Sequence, residues 1–291
     1  MRTNRHLMWI SLLPGVALLA LAGPCSAQVT AYQEQQQMGM TSHIGNLTGS
    51  ATKGAAAYRR FCVGCHGPIG DGEGENAQWI DPKPRNFTLG VFKCRSTPTG
   101  TLPLDSDLFN TVGRGIVNSN MPRWLPLTDQ DRADLVAYVK HFSPRFATEK
   151  PGAPIAIPPE PKLTAERVKA GQEVFNKVQC WKCHGVEGRA NGPSADTLTD
   201  DLGRPIRPFN FHDSTRFKCG ETDQDLYRIF MTGLDGTPMP SFSDNIKPDE
   251  AWDLVFYLRS LQPMHSPERA LAEQLGLKPV NPNAPAPQNN K

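Results

Sequence analysis

Two stretches of the chain repeat one hydrophobic periodicity. In "DRADLVAYVKHF", from Asp131, the apolar residues Leu135, Val136, Val139 and Phe142 recur at helical spacing, as do Trp252, Val255, Phe256 and Leu258 in "PDEAWDLVFYLRSL", from Pro248. Each stretch predicts an amphipathic helix. Thr128, three residues before Asp131, supplies an N-terminal cap for the first. Further upstream, "KGAAAYRRFC" and "KAGQEVFNKVQC" hold no breaker beyond Gly54 and Gly171, so each predicts a helix running into a cysteine. Gly and Pro dominate the segments in between, which indicates loop wrapped around something other than its own side chains. Neither half shows a strand ladder.

The N-terminus follows a different pattern. Arg2 and Arg5 precede the uncharged stretch from Leu7 to Gly23, and "CSA" from Cys25 to Ala27 offers small residues for cleavage. Residues 1–27 therefore read as a secretory signal, which implies a periplasmic location. An uncleaved membrane anchor is the alternative, since 17 apolar residues lie at the short end of the ~17 to 25 needed to span a bilayer. No second long apolar run follows.

Length and charge change the picture modestly. The 291 residues are enough for about two domains of ~100 to 200 residues each. The formal charge of +2 falls to 0 once Arg2 and Arg5 leave, which excludes a nucleic-acid binder on charge grounds. Residues 50–146 carry 12 basic and 9 acidic side chains, and residues 161–262 carry 13 and 15. The two halves thus have opposite sign, which suits different partners at the two ends.

The candidate chemistry lies in "FCVGCHGPIGDG", from Phe61, and "QCWKCHGVEGRA", from Gln179. Each holds two cysteines two residues apart and a histidine directly after. A zinc ribbon sets its cysteine pairs roughly 15 to 20 residues apart, whereas these start 118 apart. A thioredoxin-like dithiol needs a βαβ context that is missing, and a plain disulfide does not require a following histidine. Covalent haem attachment requires all three residues. The thiols of Cys62 and Cys65, and of Cys180 and Cys183, would add across haem vinyl groups, while His66 and His184 are carried under the ring to reach iron. Two covalently bound haem c groups are therefore expected.

The motif belongs to a longer repeat. His66 and His184 differ by 118 positions, as do Met121 in "NSNMPRW" and Met239 in "GTPMPSF", so each histidine precedes its methionine by 55 residues. Between them "KPRNFTLGVFKC", from Lys83, echoes "IRPFNFHDSTRFKC", from Ile206. The chain is a duplication.

Taken together, each repeat resembles a class I cytochrome c domain, from about Gly54 to Phe142 and from about Gly171 to Leu261. The residues that carry the likeness are Gly54 with Tyr58, Gly171 with Phe175, the CxxCH motifs, each methionine followed by proline, and Tyr138 or Tyr257 in the last helix. The resemblance implies an all-α fold: a tandem duplication of two small domains joined by a Pro-rich linker. In it the first and last helices cross at the glycine, and the aromatic fills the contact. It also implies that His66 and Met121 ligate the iron of haem 1, and His184 and Met239 that of haem 2. A soft, neutral thioether favours reduced iron, which agrees with such a site. His43, His141, His212 and His265 are rival sixth ligands, but none has a counterpart in the other repeat.

Some positions depart from the family pattern. Pro193, nine residues after His184, stands where members of the family commonly have a proline whose carbonyl orients the histidine, but its equivalent in the first repeat is Glu75. Unequal haem potentials are expected from that difference. Cys94 and Cys219 share one "FKC" slot, where a small buried hydrophobe is the first reading; a bridge between them, a bond to a partner, or a metal-binding or regulatory thiol are the alternatives. Arg85, Arg95 and Arg207 are candidates for haem propionates or for plain surface charge.

The expected organisation is a signal at 1–27, a polar extension at 28–50, one domain at 51–146, a linker at 147–162, a second domain at 163–264 and a partly disordered tail at 265–291. The stretch from Ser143 to Lys162 holds six prolines, implying a semi-rigid connection that fixes the distance between haems. "SPERALAEQLG", from Ser266, predicts a short helix. A His/Met iron has no open position, so the expected function is a periplasmic dihaem cytochrome passing electrons between redox proteins of a respiratory chain. It would not itself be an enzyme, and no small-molecule substrate is expected. One alternative is an electron-transfer subunit of a membrane-associated oxidoreductase. Another is a dihaem enzyme of peroxidase or thiosulfate dehydrogenase type, which would need an open or unusual iron ligand.

Overall fold

A computed structural model describes residues 39–214, 216–263 and 266–278. The expected signal, His265 and the residues of the tail from 279 onward lie outside the described residues.

The chain enters through a two-stranded antiparallel hairpin, β1 (Thr41–Ile44) and β2 (Leu47–Ser50), turned by Gly45 at φ 58° and Asn46. In the first repeat α1 (Ala51–Phe61) runs into the single turn α2 (Val63–His66). A long loop leads to α3 (Asp105–Arg114), then α4 (Asp129–His141) and the short α5 (Arg145–Thr148). The second repeat copies the series: α6 (Ala165–Lys177), α7 (Trp181–His184), α8 (Asp223–Thr232) and α9 (Pro248–Ser260). Finally α10 (Pro267–Gln274) packs against α9 and α6, where the sequence expects a short helix. The fold is all-α apart from the hairpin.

Each repeat is organised by the crossing of its first and last helices. At the α1–α4 crossing a Cβ on Gly54 would lie 2.1 Å from the Asp134 carbonyl oxygen, and at the α6–α9 crossing a Cβ on Gly171 would lie 1.9 Å from that of Asp253. Only hydrogen fits there. Beside the crossings, Tyr58 packs at a tilt against Tyr138 at 5.0 Å and Phe175 packs edge-to-face on Tyr257 at 5.5 Å between centroids. Leu135 and Val136 close the first core, and Trp252, Val255 and Tyr227 the second.

Helix ends follow local chemistry. Thr128 Oγ1 accepts the Asp131 N–H at 3.1 Å, as the sequence predicts. Thr222 does the same for α8, accepting from Asp225 N at 3.1 Å while the Asp225 carboxylate accepts from Thr222 N at 3.2 Å. Thr222→Ala is expected to lose about 1 kcal/mol of unfolding free energy, measured by denaturant titration.

The structure corrects three expectations. First, residues 41–50 are not merely a polar extension. The hairpin packs on α4, where Ser42 Oγ donates to the Ala133 carbonyl at 2.7 Å and Ser50 N to Asp134 Oδ1 at 2.8 Å. Four-residue strands carry too little alternation to stand out in sequence.

Second, Cys94 and Cys219 are not separate buried hydrophobes: they form a disulfide that joins the two repeats across 125 residues. Third, the linker does not by itself set the spacing of the repeats. It does lie along both, with Ile155 N donating to Ser96 O at 2.8 Å and Trp252 Nε1 to Pro158 O at 3.2 Å. The repeats also meet directly. Arg95, fully buried, pairs with Asp235 at 2.7 Å and donates to the carbonyls of Phe92 and Thr232. Arg114 pairs with Asp225 at 3.3 Å, and Arg216 donates to the Arg114 carbonyl at 3.1 Å. These direct contacts and the bridge, together with the linker's two hydrogen bonds, hold the geometry.

Candidate haem sites

The cysteine-histidine motifs sit where the chain tightens from a long helix into a single turn. His66 N donates to Cys62 O at 2.9 Å and His184 N to Cys180 O at 2.9 Å, so each histidine lies one turn beyond its first cysteine. The Cys62, Cys65, Cys180 and Cys183 thiols are free.

Each imidazole is held on two sides. His66 Nδ1 donates to the Arg85 carbonyl at 3.0 Å, and the ring stacks on Phe87 at 4.4 Å between centroids. His184 Nδ1 donates to the Phe209 carbonyl at 2.9 Å, with Phe211 at 4.8 Å. These carbonyls select the tautomer in which Nε2 keeps its lone pair. Burial pushes both imidazoles below the usual histidine range, so the neutral, ligating form is favoured.

The orienting carbonyls belong to neither Pro193 nor Glu75. They come from Arg85, 19 residues after His66, and Phe209, 25 residues after His184, each two residues before a phenylalanine that packs on the histidine. The difference between Glu75 and Pro193 is therefore not a difference in how the histidines are held. The sequence did carry a signal for these positions, the Asn-Phe pair at 86–87 and again at 210–211. Each asparagine ties its own loop: Asn86 Oδ1 accepts from Thr88 N at 2.9 Å, and Asn210 Oδ1 from His212 N at 3.0 Å.

The methionines are presented by matching loops. Ile116 N donates to Met121 O at 3.0 Å, and Leu234 N to Met239 O at 3.0 Å. Inside them, Ser119 Oγ and Thr237 Oγ1 each accept the methionine N–H at 3.2 Å and donate to the Ile116 or Leu234 carbonyl. In the first repeat Met121, His66, Cys62 and Cys65 all line one cleft that opens to solvent. In the second, Met239 packs on the same apolar core as Cys180, Trp181 and Phe209.

The rival histidines are engaged elsewhere. His43 N donates to Asp105, His141 lies against Tyr138 and Phe142, and His212 Nε2 meets the Glu187 carbonyl at 2.7 Å. None of the three lines the first cleft. Of the three candidate arginines, Arg85 lines the cleft, Arg95 is committed to the interface with Asp235, and Arg207 is exposed beside Asp196.

The donor chemistry fits haem c. Burial pushes the Cys62 and Cys180 thiols up to about 12, the opposite of what a reactive dithiol needs. Among the described residues no three His, Cys, Asp or Glu side chains converge to hold a metal ion, which is unlike a zinc clip. In the first cleft the buried Trp124 Nε1 finds no acceptor among the described residues. A bound group with carboxylates would supply one.

The cytochrome c family model matches residues 51–143 and again 168–262. No curated protein sequence matches the chain significantly. Among solved structures, a chain of the Kuenenia stuttgartiensis reducing HAO-like protein complex Kustc0457/Kustc0458 is 44% identical, with a TM-score of 0.70 over 72% of this chain and 96% of that one. Duplicated crossings, duplicated histidine supports and a family match to each repeat lead to one assignment: the chain belongs to the cytochrome c family, with two class I-type domains in tandem.

Proposed function

We propose that the protein is a dihaem electron-transfer cytochrome, with one haem c per repeat. Cys62 and Cys65 hold haem 1 through thioether bonds and Cys180 and Cys183 hold haem 2. His66 and Met121 ligate the first iron, and His184 and Met239 the second. Bound there, each haem supplies a one-electron couple. The protein's part would be to hold His66 and Met121, and His184 and Met239, in place for iron, keep each imidazole neutral, and surround the site with apolar walls. The observation that carries this reading is the identical pair of supports in both repeats: a carbonyl on Nδ1 behind each histidine, and a hydrogen-bonded loop behind each methionine.

Intact mass measurement of the mature protein is expected to show two haems; fewer than two refutes the assignment. In the oxidised protein, the weak near-infrared charge-transfer band of methionine on ferric iron is expected from both sites. Met121→Ala and Met239→Ala should each lower one potential by at least the equivalent of a tenfold change in the ferrous-to-ferric ratio, about 59 mV for one electron. Unchanged potentials in both variants would show that the methionines are not ligands.

The similarity to a chain from a protein complex favours a second, finer reading. In it the protein is the electron-transfer subunit of a multi-subunit oxidoreductase, exported to the periplasm, rather than a free carrier in a respiratory chain. Purification from native cells decides between these readings. Co-elution with a larger redox protein through two successive columns supports the subunit, and elution as a lone chain supports the carrier.

A further inference from the structure

Three basic side chains gather between the two candidate haem sites without partners among the described residues. Arg85, Lys93 and Lys218 all line the first cleft, although Lys218 belongs to the second repeat. Lys93 and Lys218 are the residues just before the bridged Cys94 and Cys219, so the disulfide ties the two positions to one place and both side chains line the same cleft. Arg85 reaches the other way. Its Nη1 lies 2.4 Å from where a Cβ on Gly236 would stand, in the loop that presents Met239.

None of the three side chains makes a hydrogen bond or ion pair among the described residues. Burial lowers the affinity of both lysines for a proton; Lys93, with Arg85 and Lys218 as like-charged neighbours outweighing Asp200, is pushed down to about 7. Asp200, Asp201 and Asp235 act on Arg85 electrostatically but stand outside ion-pair distance. A grouping of buried like charges is costly unless an anion completes it.

We propose that this cluster is the anion site for the propionate carboxylates of haem 1, and that Lys218 makes it a site shared by both repeats. The proposal rests on a haem being held at Cys62 and Cys65. It adds that the second domain contributes a charge directly to the first haem. The consequence is electrostatic. A cation beside the propionates offsets their negative charge, and so favours the ferrous state of the nearby iron.

The test uses the full dihaem protein, with both potentials read by spectroelectrochemical titration. Lys218→Gln is expected to lower one potential by the equivalent of about a tenfold change in the ferrous-to-ferric ratio, about 59 mV. Lys218→Arg, which keeps the charge, should stay within about twofold of the parent. Lys93→Gln should move the same titration wave as Lys218→Gln.

If Lys218→Gln leaves both waves in place, the site is not there. If Lys218→Arg shifts the wave as far as Lys218→Gln, the lysine acts through packing and the proposal fails. If the two glutamine variants move different waves, each lysine serves its own repeat and the shared site is overturned. A parent protein lacking haem at Cys62 and Cys65 would instead sink the functional reading beneath it, and mass measurement reads that separately.

Discussion

Replacing both Cys94 and Cys219 by serine is expected to lower the unfolding free energy by about 5 kcal/mol, the loop-closure entropy of a bridge spanning on the order of 125 residues. The effect acts mainly on the unfolded chain, which the bridge holds near the middle of both repeats. In the folded protein the Arg95–Asp235 and Arg114–Asp225 pairs still join the domains, so the native interface is expected to persist in the variant. Denaturant titration of the variant, and of the parent with a thiol reductant, should give the same loss. The reductant is selective here, because haem thioethers contain no sulfur–sulfur bond to exchange. A loss under about 1 kcal/mol would mean that the unfolded chain is already confined by other means.

Gly171→Val is expected to cost about 3 kcal/mol, at the upper end of the usual cost of overpacking, and to act on the second domain. The added Cβ would sit 1.9 Å from the backbone oxygen of Asp253, and backbone cannot rotate away as a side chain does. Relief requires α6 and α9 to separate, which opens the contact between Phe175 and Tyr257. The usual gain from removing a helical glycine, about 1 kcal/mol, is too small to offset this. Lys169→Val, on an exposed position of the same helix, is the control and should change stability by no more than about 0.5 kcal/mol. Equal losses in the two variants would mean that valine acts through helix propensity and that the close crossing carries no special cost.

Several features of the site were legible before any coordinates. The CxxCH spacing is a local property of one helical turn, and the 55-residue interval from histidine to methionine recurs because the whole unit was duplicated. The crossing glycines and their aromatics could be named as well, since the family likeness places them on helices whose apolar periodicity is strong.

Other features were hidden for identifiable reasons. The groups that orient His66 and His184 are backbone carbonyls, and every residue has one, so residue identity alone could not select Arg85 or Phe209. Alignment obscured them further. The repeats are offset by 118 at the histidines and methionines, but by 124 from Arg85 to Phe209 and by 125 from Cys94 to Cys219. The second repeat gains residues before its cysteine and loses as many before its methionine. Lys218 carries no mark in the sequence, because its role depends on the cleft of the other repeat that it lines.

By itself, then, the sequence pointed to the attachment chemistry and the modular plan: two cysteine-histidine motifs, two methionines at one spacing, two pairs of amphipathic helices. Those depend on short-range geometry, which a linear pattern records. The tertiary structure alone decided which cysteine meets which, which carbonyl tunes each imidazole, and which charges gather between the haem sites. These are contacts between residues far apart in sequence, set by how two folded surfaces fit, and the order of residues along a chain does not encode that fit in any local pattern.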